Sequence, residues 1–201
     1  MKFNKFIAGL AAAATALPIT ALAHVGEHGS SQGALGSFVQ ALAHPFTGVD
    51  HLAAMLAVGA WSALTITPAW RAPVAFVALL VAGCMAGFAG LWVPGVEPMI
   101  AASVLVLGLL VAVQKRMPWG VAAGVAGVFA FFHGAAHGNE LASDTGLVAL
   151  AALLGMAAGS AALHITGMAL GKAAMQRHRL LATVAGAATA VLGAFMLMRL
   201  V

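Results

Sequence analysis

Chemistry in this chain can be done at two short clusters of polar residues. The first is His44-Pro45-Phe46-Thr47-Gly48-Val49-Asp50-His51, with Met55 four residues on. The second is His133-Gly134-Ala135-Ala136-His137-Gly138-Asn139-Glu140. His133 and His137 are spaced i, i+4 and share one face of a helix, and Glu140 extends that stripe if the helix continues. His51 and Met55 have the same spacing, with Asp50 adjacent. Two helices that each offer imidazole and carboxylate can surround a borderline divalent cation. Neutral imidazole suits Ni, Zn, Cu and Co, and the acids add compensating charge. The lone Cys84 lies outside both clusters, which argues against a soft Cu(I) site. One histidine in an apolar helix is ordinarily a hydrogen-bonding residue, and Met55, an auxiliary metal candidate, reads first as packing because methionine is frequent here (10 in the chain). The conjunction of four histidines and two acids points to metal. His164, within a later apolar run, reads either as a packing histidine or as a second, transient stop near the inner end, with most of the bilayer between it and the clusters.

The elements that must position these residues are membrane helices. Hydrophobic residues make up 63% of the chain and charged residues only 7%, against near 45–50% and about 25% in soluble domains. Fourteen charges cannot cover the surface of a 201-residue soluble protein. The solvent is lipid, and disorder is excluded because a disordered chain is polar. One cysteine excludes an internal disulfide framework. A net excess of four positive charges does not argue for nucleic acid.

Residues 1–23 read as a signal peptide. Lys2 and Lys5 precede an apolar stretch, and Ala21-Leu22-Ala23 is a cleavage site. The mature chain, 24–201, is expected to be a single membrane domain beginning at His24. At roughly 20 apolar residues per span, six transmembrane helices fall near 47–66, 73–93, 97–114, 118–137, 146–169 and 180–200. The fold class is thus all-α, a polytopic membrane helix bundle. Gly33–Ala43 is too short to cross and is expected to form a re-entrant or interfacial helix ending at His44-Pro45, since a residue before proline disfavours helix. The stripes Gly83-x3-Gly87, Gly120-x3-Gly124 and Gly155-x3-Gly159 predict close helix packing.

With the mature N-terminus outside, Arg71, Lys115, Arg116, Lys172, Arg177 and Arg179 lie in inside loops, and only Arg199 lies outside. This positive-inside pattern implies a multi-pass protein of the bacterial inner membrane. Both clusters then share the outer depth. His24 and His28, on a Gly-rich arm with Glu27, are auxiliary candidates for collecting metal.

The first cluster resembles the signature of the HupE/UreJ family, roughly H-P-x-x-G-x-D-H-x-x-x-M-x-x-x-G, which here runs from His44 to Gly59. The second is similar to that family's H-G-x-A-H-G-x-E pattern, and Leu163-His164 is similar to a family histidine. The resemblance implies a permease carrying Ni²⁺, or Co²⁺, for assembly of a metalloenzyme such as hydrogenase or urease. The metal would be a transported ion, with no prosthetic group. The metal residues so implied are His44, Asp50, His51, His133, His137, Glu140 and His164. The partners are the ion, the bilayer and a client maturation system; a homo-oligomer is open. No G-x-x-x-x-G-K-[ST] occurs, so ATP drive within the chain is not expected, and channel and ion-coupled carrier both fit. An enzyme is not expected. A non-transporting sensor or accessory protein is the main alternative. An intramembrane zinc hydrolase is weaker, because H-E-x-x-H is absent.

Overall fold

The computed structural model describes residues 33–140 and 146–200. The expected leader 1–23, His24, His28 and Asp144 lie outside the described residues, as does the side chain of Glu140. The described residues form seven α-helices: α1 (Ala34–Thr47), α2 (Val49–Thr65), α3 (Arg71–Phe88), α4 (Val96–Val113), α5 (Trp119–Glu140), α6 (Gly146–Leu170) and α7 (Arg179–Met198). A π-helical turn, Gly171–Met175, prolongs α6. Helices α3 to α7 are long and apolar enough to cross a membrane; α2 is apolar but one residue shorter than the shortest of them. Leu35, Trp92, Leu147 and Val191 are each at least 70% exposed. Outward apolar side chains on this scale mark a bundle solvated by lipid.

Helix α2 is the centre. Its residues from Ala57 to Ala63 are all buried, and it packs against α1, α3, α4, α6 and α7. A helix apolar all round belongs in such a position. The most extensive outer pairings are α3 with α5, α4 with α7, and α1 with α6. Glycine makes them possible, because lipid supplies no hydrophobic drive between helices and backbones must come close to gain dispersion and dipole contacts. Gly83 faces the Phe131 carbonyl, Gly134 faces the Leu80 carbonyl, and Gly138 faces the Cys84 carbonyl. A Cβ at any of them would collide with backbone. Gly108 and Gly186 lock α4 to α7 in the same way, and Gly155 and Gly159 hold α1 against α6. The Gly120-x3-Gly124 stripe departs from expectation, since a Cβ at either residue would meet nothing within 4 Å.

Two helix ends also differ. Helix α1 does not stop at His44-Pro45; it runs through Pro45 to Thr47 and ends at Gly48, whose backbone is extended. Proline removes only the bond that the Ala41 carbonyl would accept. Its ring is buried against Gly159 of α6, so tertiary packing outweighs the local preference of His44. Helix α3 stops at Phe88, short of the expected 93. Gly90 adopts a left-handed conformation (φ 73°), and the Leu91 amide turns back to the Ala86 carbonyl, closing the helix as a C-terminal glycine cap does.

The three connections that carry most of the basic residues meet at one end of the bundle. Gln176 donates to the Ala63 carbonyl, Gln114 donates to the Arg179 carbonyl, and the Arg71 guanidinium lies 5.0 Å over the Trp119 ring.

Candidate metal centre

At the opposite end, α1, α2 and α5 converge on histidine. His44 stands in the last turn of α1, His51 in the first turn of α2, and His137 in the last turn of α5. One nitrogen from each lies within 4.8 Å of the others. Atoms bound to one borderline metal are about 3–4 Å apart, so small ring rotations bring the three together. His51 and His137 are buried, and His44 is partly exposed. The group is therefore most open at His44.

Asp50 orients this group. Its Oδ1 accepts from both the backbone N–H of His51 (2.8 Å) and the His51 ring at Nδ1 (2.9 Å). A carboxylate on Nδ1 fixes the tautomer, leaving the Nε2 lone pair of His51 directed at the site, as metal-ligating histidines require. That Nε2 lies 2.8 Å from His137 Nε2, so His137 is the donor between them. A metal ligated by His137 Nε2 would have to displace this hydrogen bond. Gly48 makes the Asp50–His51 bridge sterically possible: a Cβ there would sit 2.7 Å from Asp50 Oδ1 and 3.3 Å from His51 Nδ1.

His133 is not one of the three converging ligands. Its ring stands edge-on to His51, 4.8 Å between centroids, one turn deeper on α5. Its Nε2 lies 3.0 Å from Ser103 Oγ on α4. Ser103 donates its own proton to the Ile100 carbonyl (2.6 Å), so it accepts from His133. The His133 lone pair is therefore at Nδ1, which is buried and has no hydrogen-bond partner. Leaving such an acceptor unpaired costs about 1–3 kcal/mol.

Two whole-chain comparisons bear on this arrangement. A profile of the HupE / UreJ protein family matches residues 11–196. Protein HupE of Rhizobium leguminosarum bv. viciae is 42% identical over 202 residues, covering 98% of this chain and 99% of that one. The chain belongs to the HupE/UreJ family. No solved structure matches it.

In this HupE/UreJ protein the two motifs, 82 residues apart from His51 to His133, close on each other as their pattern suggested. Helix α5 continues through Glu140, three residues past His137. Met55 is buried in the hydrophobic core, in keeping with its packing role. His164 departs from expectation. Its backbone carbonyl lies against Gly59, eight residues past His51 on α2, or about 12 Å along a helix axis. The Phe76 ring touches both it and His133. The reading that set most of the bilayer between His164 and the outer cluster is thus corrected: α6 runs on as a π turn beyond Leu170, so His164 sits higher in the bundle than its distance from the basic loop implied. Sequence reasoning also missed Ser103, although it is the one hydroxyl in α4, whose only other polar residue is Glu97, and was open to notice. It missed Phe76, one of ten phenylalanines, which carries no local signal.

Proposed function

We propose that this protein is a permease for Ni²⁺, with Co²⁺ as a second cargo, supplying a client metalloenzyme such as hydrogenase or urease. The observation that carries it is the convergence of His44, His51 and His137 at the end of a membrane bundle, with Asp50 buttressing His51. Family membership supports the same reading, because HupE/UreJ proteins are regarded as nickel permeases or hydrogenase and urease accessory proteins. In this reading α2 is a sixth span beside the five long ones. A leader ending at Ala23 is removed, and the protein lies in the bacterial inner membrane. The basic connections face the cytoplasm, following the positive-inside rule, and the histidine mouth faces outward. His133 and His164 stand farther along the path, and Glu140 adds negative charge at the mouth.

Asp50 is engaged on His51, which suits an orienting group better than the free base that an intramembrane zinc hydrolase would need. The protein is read as a permease and not an enzyme, with no prosthetic group. The deciding experiment is uptake of radioactive Ni²⁺ into vesicles containing purified protein, in competition with Co²⁺, Zn²⁺ and Cu²⁺. Saturable uptake, competed first by Co²⁺, is expected. Tight binding without flux would assign the protein to metal sensing or accessory storage instead.

A further inference from the structure

Beneath the histidine mouth lies a second set of polar groups that the binding of metal at the triad does not use. Ser160 and His164 are spaced i, i+4 on α6 and are both buried, at 0% and 1% exposure. Neither Ser160 Oγ nor either ring nitrogen of His164 has a hydrogen-bond partner. A neutral imidazole carries one donor and one acceptor, so two polar capabilities of one ring are buried without satisfaction. Groups of this kind in a native interior call for an occupant or a role, and inside a membrane they are functional by default. His133 Nδ1 is buried and unpartnered in the same way.

One ring touches both levels. Phe76, fully buried on α3, stands edge-on to His164 at 4.9 Å between centroids and tilted against His133 at 5.8 Å. An apolar ring between two polar stations stops an ion that must exchange one ligand for the next, as hydrophobic constrictions do in channels. Phenylalanine needs only a side-chain rotation to clear the way, whereas the surrounding backbone is held by Gly59 and Gly167 at van der Waals distance between α2 and α6.

We infer that Phe76 is the gate between two stations of the metal path, an outer one ending at His133 and an inner one built on His164 with Ser160; this rests on the permease reading and adds the route. The inner station offers one imidazole and one hydroxyl and no carboxylate, so it holds a divalent cation weakly. A weak second stop is what onward release requires.

The test labels histidines with diethyl pyrocarbonate in the full-length protein in liposomes, read residue by residue by mass spectrometry, for wild type, Phe76→Ala and Phe76→Leu. Exposed His178 serves as the internal standard. In wild type His164 is expected to react at least about tenfold more slowly than His178, because access requires the ring to move. In Phe76→Ala its rate rises about tenfold, with Phe76→Leu between, and Ni²⁺ slows the reaction in the opened variant. Ni²⁺ affinity at the triad, within about threefold of wild type, verifies that each variant is folded. If Phe76→Ala does not fold, Phe76→Leu alone decides. Equal His164 reactivity in the folded proteins overturns the gate, and labelling that Ni²⁺ fails to slow overturns the inner station. Wild-type vesicles that take up no Ni²⁺ sink the permease reading separately, since the labelling series reads the gate without flux.

Discussion

At the residue scale, the site depends on how one carboxylate and one glycine prepare His51. His51→Ala and His137→Ala each remove a converging ligand, so calorimetric titration is expected to show high-affinity Ni²⁺ binding lost while the protein still inserts. Asp50→Asn keeps the shape but removes the charge that fixes the His51 tautomer. Loss of such an outer partner costs about 10–100-fold in metal affinity, so a weakened but measurable isotherm is expected. Gly48→Ala is expected to fall in the same range without touching any ligand, because its methyl would enter the space of the Asp50–His51 bridge. Wild-type affinity in Gly48→Ala would mean that the bridge does not matter. Metal also competes with protons, since a ligating imidazole must be neutral. Uptake is expected to fall as the external solution is acidified, because protons and metal compete for the same lone pairs. The sign is fixed: protonation removes the lone pair, so acid weakens binding. Uptake that climbs with acidity would indicate proton-driven import.

At the element scale, glycine stripes that look alike in sequence do opposite things. Gly134 faces the Leu80 carbonyl across the α3–α5 contact, whereas Gly124 has nothing within 4 Å. A methyl at Gly134 must push two helices apart and with them His133 and His137, which ride on α5. Gly134→Ala is therefore expected to lower thermal stability markedly and weaken Ni²⁺ binding. Gly124→Ala is expected to be neutral or slightly stabilising, because alanine is favoured over glycine in a helix by about 1 kcal/mol. Melting of the two purified variants in detergent compares them directly. Similar losses in both would mean that the exposed stripe of α5 is also a packing face. The same pairing explains Pro45: α1 keeps its helix through the proline because Gly155 and Gly159 give α6 a surface on which it can lie.

At the scale of the whole molecule, the two ends have different chemistry. One end gathers Arg71, Gln114, Gln176 and Arg179 through contacts between connections. The other gathers imidazole. This polarity predicts that single cysteines placed in the connections near 115 and 177 of a Cys84→Ser background react with a membrane-impermeant maleimide only after the cells are opened. Reaction in intact cells would invert the topology and turn the histidine mouth inward.

Much of this was legible without coordinates. Helix class, the five long spans to within a few residues and the two histidine clusters follow from composition, hydropathy and i, i+4 spacing, because lipid forces the backbone into helices and makes every polar residue conspicuous. The sequence alone also determined which residues belong to each cluster, since spacing on one helix is a local matter. Which atoms meet across helices was not local. That His44 and not His133 joins His51 and His137, that Gly48 clears room for Asp50, and that Phe76 touches both His133 and His164 depend on how α1 and α3 lean on α2 and α6 and on how α5 packs against α3. Glycine contacts set those approaches, and a glycine in sequence does not say which neighbour it faces. Tertiary packing likewise decided the end of α1, where the ring of Pro45 found a place against Gly159 and the helix ran on for two residues.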